Sequence, residues 1–120
     1  MISRDILQNM FDDMRARAKW DIDGLCLWGY FFTDHNRERL EQAVPHLERM
    51  GYRFVDVFGS EDEDEDERLL FLHVERREVH TVDSLVERNQ ELYQFAEEHG
   101  LETYDGMDVG PLPKNAIEQP

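Results

Sequence analysis

Three observations predict an α+β fold built on a four-stranded antiparallel sheet. Two runs, residues 25–32 and 69–74, are apolar almost throughout. A run without polar alternation reads as a strand covered on both faces, and therefore a central one. Two helical patterns each end at a glycine, Gly51 and Gly100, just before a short strand-forming run. After a first helix the order is strand, helix, strand, strand, helix, strand. That is the ferredoxin-like βαββαβ arrangement with an additional N-terminal helix. It makes the first and third strands central and gives the order 4-1-3-2.

Ser3 can cap the first helix, with Asp5 in its opening turn. Ile6, Met10, Met14 and Ala18 recur at helical spacing, with Leu7 and Phe11 beside them. The first strand follows at 25–32. Thr33 or Asp34 caps the second helix, whose apolar stripe is Leu40, Ala43, Val44, Leu47 and Met50. Pro45 inside it is expected to kink it or tighten the geometry there. The third helix starts at Thr81, with Ser84 three residues on. Its stripe is Leu85, Val86, Asn89, Leu92, Tyr93 and Ala96. Asn89 there reads as a satisfied core polar group that fixes register. A last short strand spans 101–104 and closes at the turn signal Asp105-Gly106. Helices two and three cover one sheet face. The other, carrying Trp28, Tyr30 and Phe32 or their neighbours one residue off, needs cover from the first helix, a partner or a second copy. Three units follow: a helix at 1–20, a domain at 21–110 and a flexible tail at 111–120.

Between the second and third strands lies the most distinctive stretch. Gly59-Ser60 leads into seven consecutive acids, Glu61, Asp62, Glu63, Asp64, Glu65, Asp66 and Glu67. A hairpin tip so charged is solvated and faces outward.

The chain has 120 residues, one domain of ordinary size, and carries 28 acids against 13 bases for a net charge of −15. Without the seven charges of the tip it keeps −8, so the whole domain is acidic. Nucleic-acid binding, which needs clustered Lys and Arg, is excluded as the natural function, and a basic protein segment is favoured as partner. The single cysteine, Cys26, can form no internal disulfide and reads as a small buried hydrophobe. With no signal peptide and no membrane-length apolar run, a cytoplasmic protein is expected.

The acidic run invites a calcium site, but a loop counted from Asp62 has Glu67 where glycine is needed and His73 where a glutamate is needed. His35, His46, His73, His80 and His99 show no i,i+4 ligand pair. No metal and no cofactor are expected. His73 and Glu75 share a strand face, which leaves a small hydrolase as one alternative, with His73 as base. No phosphate loop and no nucleophile elbow is present.

The stretch 25–110 resembles the family of regulator of ribonuclease activity B (RraB), protein inhibitors of ribonuclease E. The shared features are the apolar first strand, the helix end Arg49-Met50-Gly51-Tyr52 and the acidic inter-strand loop. A last helix running through Ala96-Glu97-Glu98 into Glu102-Thr103-Tyr104-Asp105-Gly106 completes them. The resemblance implies a ferredoxin-type domain that is not an enzyme, binds the ribonuclease and modulates RNA decay. The tail from Pro111 to Pro120 is short and weakly charged, unlike the acidic tail of that family. The expected partner surface is the acidic tip, residues 61–67, with Asp105 and Asp108 as a second cluster. An immunity- or antitoxin-type protein masking some other basic effector is the further alternative.

Overall fold

The computed structural model describes residues 1–59 and 68–113; the acidic run at 61–67 and the final residues 114–120 lie outside the described residues. The elements are α1 (Arg4–Arg17), β1 (Cys26–Asp34), α2 (Arg37–Arg49), β2 (Arg53–Gly59), β3 (Leu70–Glu78), α3 (Val82–Glu98) and β4 (Thr103–Gly110). The strands form one sheet in the order β2-β3-β1-β4, every pair antiparallel. The two most apolar runs are the two central strands, as predicted. No helix among the described residues is long and apolar enough to cross a membrane.

Local chemistry explains most boundaries. Ser3 caps α1 by accepting from the Ile6 amide at 3.2 Å. Thr81 and Ser84 form a reciprocal capping box at α3, each side chain accepting from the other residue's backbone N–H. Gly51 and Gly100 both take positive φ, 99° and 69°. In both places the next residue donates back into the helix, Tyr52 to the Leu47 carbonyl and Leu101 to the Ala96 carbonyl. The glycine amides reach Glu48 and Glu97, which completes a Schellman motif at each helix end. α2 runs through Pro45 as one helix from Arg37 to Arg49.

The cap of α2 differs from expectation. Asn36 takes it, accepting from the Arg39 amide at 3.1 Å. Asp34 is used otherwise: it is 1% exposed and accepts from the amides of Asn36 (2.7 Å) and Glu102 (3.2 Å), tying the end of β1 to the start of β4. β3 also continues beyond its apolar part, through the charged string to Glu78. The last strand is longer than predicted as well. Asp105-Gly106 is not a closing turn. Phe32 pairs with Tyr104 and Phe31 with Gly106, so Asp105 is an extra residue, a β-bulge, and the strand resumes to Gly110. Gly106, at φ 136°, supplies the backbone freedom that signalled a turn. β2 carries a second irregularity, between Phe54 and Asp56.

The larger correction concerns α1. Side chains alternate along β1, so Trp28, Tyr30 and Phe32 share one face, and all three are wholly buried. Trp28 meets Phe11 of α1 at 6.0 Å between ring centroids, Tyr30 meets Tyr52 at 5.6 Å, and Phe32 meets Phe95 of α3 at 5.6 Å. All three helices therefore lie on the same side of the sheet. α1 packs beside α3 instead of crossing to the second face. Its buried residues are Leu7 and Phe11, one turn apart, while Ile6 is 57% exposed and Met10 and Met14 sit at the margin of the core. Asn89 is buried on α3 and its side-chain carbonyl accepts from the Tyr104 hydroxyl at 2.6 Å, pinning helix to edge strand. Its amide nitrogen has no partner among the described residues, so only half of the group is satisfied.

This placement gives a stability contrast. Phe11→Ala should cost about 3–5 kcal/mol, the range for truncating a fully buried aromatic. Ile6→Ala should cost under about 0.5 kcal/mol, as at an exposed position. Denaturant unfolding of the two variants checks both values.

Candidate protein-binding face

With every helix on one side, the other side of the sheet has no layer over it among the described residues. Leu27, Gly29, Phe31 and Thr33 of β1 and Phe71, His73, Glu75 and Arg77 of β3 alternate onto it. The pairing register adds Asp56 and Phe58 from β2 and Gly106 and Asp108 from β4. Its middle is aromatic. Phe58 and Phe71 stack at 5.4 Å and 11°, and Phe31 stacks on the His73 ring at 4.4 Å and 19°. Phe31, Phe58 and Phe71 line an open groove of about 450 Å³, whose far end is closed by Ile2, Ile6 and Met107. A Cβ on Gly106 would lie in ordinary contact with Ile2 Cδ1, at 3.6 Å; it is the backbone φ of 136° that calls for glycine there.

Carboxylates rim the apolar lane. Asp105, thrown outward by the bulge, lines the groove and is exposed. Asp108 is exposed and lies across Gly29 from His73; a Cβ on Gly29 would stand 2.4 Å from Asp108 Oδ1 and 2.8 Å from His73 Nε2, so only glycine leaves room for both. The structure thus brings Asp105 and Asp108 to one margin of one face. Residues 61–67, the rest of the expected surface, lie outside the described residues. Burial holds His73 below its ordinary pKa against the opposing pull of Asp108 and Asp56, so the imidazole is neutral at pH 7 and leaves the rim acidic.

His73 and Glu75 do share a face, as the strand spacing predicts. Glu75 is taken by an ion pair with Arg53 across the β2–β3 ladder. Among the described residues no group of three His, Cys, Asp or Glu side chains is arranged to hold a metal ion. Cys26 is buried beside the Asp21 and Gly24 carbonyls, and burial raises its thiol pKa.

Sequence reasoning missed a polar cluster under the helices. Glu78, at the end of β3, receives the Tyr30 hydroxyl, His80 Nε2 at 2.7 Å and Arg88 Nη1 at 2.5 Å on one oxygen; Arg76 reaches the other at 3.2 Å. Ser84 Oγ lies 2.9 Å from His80 Nδ1 and fixes that ring in turn. Burial opposes the charge on Glu78, but the hydrogen bonds from His80, Arg88 and Tyr30 outweigh it and bring its pKa down to about 2. The same burial and the Glu78 charge raise the Tyr30 hydroxyl well above its ordinary value. Arg88 also stacks over Tyr52 at 5.6 Å. The one signal in the sequence was a tyrosine inside an apolar central strand, whose hydroxyl must find a partner.

Fold and face together define an acidic α+β domain with helices on one side of its sheet and an aromatic surface on the other. The family model of regulator of ribonuclease activity B matches residues 4–109, and the chain belongs to that family. A comparison with curated proteins gives no match.

The Glu78 cluster has a defined pH signature. Its folded pKa is depressed from 4.5 to about 2. Its stabilisation is therefore complete above the ordinary carboxylate value and is lost as pH falls from about 4.5 toward 2. Glu78→Gln should cost about 3 kcal/mol at pH 7, since it removes the carboxylate that Tyr30, His80 and the part-buried Arg88 share and leaves Arg88 only Glu91, at 3.5 Å, as an acidic partner among the described residues. It should also flatten the acid limb of a stability–pH curve, measured by urea unfolding at several pH values.

Proposed function

We propose that this protein regulates a ribonuclease by binding a basic segment of it, in the manner of the ribonuclease E inhibitors. The observation that carries the reading is the placement of Asp105 and Asp108 together on the margin of a sheet face over which the described residues set no helix. Field complementarity does the first part of the work. A chain of net charge −15 attracts and orients an arginine-rich segment. Such segments are also where a ribonuclease holds RNA, so occupation by an acidic protein competes with RNA for the same cations. The acids at 61–67 act as the steering charge, and Asp105 and Asp108 act at the contact. The binding unit is the domain 21–110, buttressed by the helix 1–20. The action is stoichiometric and non-enzymatic: His73 is stacked on Phe31, and Glu75 is engaged by Arg53. This reading sets the protein in the cytoplasm, the compartment of RNA decay.

The test is a salt series of association and dissociation rates against an arginine-rich ribonuclease segment. The association rate of the wild type should fall as salt rises, since screening acts over about 8 Å at physiological ionic strength. A variant with Asp105→Asn, Asp108→Asn and the acids at 61–67 replaced by Ser, Gly and Asn should associate more slowly and with a flatter salt dependence. Its fold should stay intact, because exposed charges steer more than they hold. Equal salt slopes for the two proteins would reject the acidic surface as the binding element.

A further inference from the structure

The charge reading explains attraction to any polycation, yet the face offers more than charge. Phe58 is 42% exposed and Ile6 57%, and both line one groove with Phe31 and Phe71. An apolar groove of this kind on a highly charged chain marks a surface meant to be covered. A second copy of the chain fits it poorly. Face-to-face association would bring Asp56, Asp105 and Asp108 of both molecules together; Arg53 on that face is held by Glu75, which leaves Arg77, at the end of β3 remote from Phe71, as one exposed cation against three acids. The complementary occupant has cationic side chains for the rim and apolar ones for the lane.

Resting on the proposed function, we infer that the groove of Phe31, Phe58 and Phe71 selects, among basic segments, those with large apolar side chains set between arginines. The arginines reach the carboxylates of Asp105 and Asp108. One aliphatic or aromatic side chain descends onto the stacked Phe58–Phe71 pair and displaces water from it. Charge gives the approach; the groove gives the discrimination between an amphipathic basic segment and a merely basic one.

Two synthetic peptides of equal length and charge separate these roles. One alternates arginine with leucine and phenylalanine, the other alternates arginine with glycine. Each is titrated calorimetrically into the full-length protein. The apolar peptide should bind at least about tenfold more tightly, the effect of one well-buried anchor side chain. Phe58→Ser should abolish that difference while leaving the arginine–glycine affinity unchanged. Ile6→Ser, at the other end of the groove, should reduce it. Both positions are exposed, so folding is preserved. Equal affinities for the two peptides in the wild type, or a preference that survives Phe58→Ser, would overturn the groove while leaving the charge reading standing. Failure of both peptides to bind would remove both. A wild-type dimer that Phe58→Ser converts to monomer would assign the groove to a second copy instead.

Discussion

The period-two alternation of β1 is the constraint on which the rest of this molecule depends. Trp28, Tyr30 and Phe32 go to one side of the sheet and Phe31 to the other. Three large aromatics on one side demand a deep layer, and three helices are needed to supply it. Phe11 brings α1 onto Trp28, Tyr52 at the end of α2 brings a ring onto Tyr30, and Phe95 brings α3 onto Phe32. Once the helices are spent on that side, Phe31, Phe58 and Phe71 are left on the other. The uncovered aromatic face is thus a consequence of how the core is satisfied.

The Glu78 cluster is the polar counterpart of this core. Tyr30 comes from the central strand, Glu78 from the end of β3, His80 from the loop after it and Arg88 from α3. A carboxylate in such a place is costly unless its donors are in position, so the group enforces one arrangement of α3 over the sheet. Trp28 meets the edge of His80 at 5.0 Å, which couples this polar group to the aromatic layer.

Strand order, helix ends and the capping box were legible in the sequence because each rests on local chemistry. A continuous apolar run declares centrality, glycine declares the end of a helix, and Thr81 with Ser84 declares its start. What the sequence could not say was which side each residue of an unbroken aromatic run would face, since Tyr30, Phe31 and Phe32 are equally apolar. The same ambiguity misplaced α1: Ile6-Leu7 and Met10-Phe11 are adjacent apolar pairs, and only the geometry of Trp28 selects the second member of each. Asp105-Gly106 read as a turn because a bulge uses the same positive-φ glycine. Of the candidate site, Asp105 and Asp108 were named from charge alone; the aromatic groove beside them needed the register of four strands.

Both outer strands of the sheet are interrupted, β2 between Phe54 and Asp56 and β4 at Asp105. Each interruption spoils the even row of donors and acceptors that another strand would need in order to add itself there. A chain with exposed aromatics and two regular edges would be prone to grow into ribbons of stacked sheets. Here the growth directions are blunted while the flat side stays accessible. What the sheet presents to its surroundings is then the side chains of that flat side, which differ from position to position, and not backbone pairing, which any extended chain could satisfy.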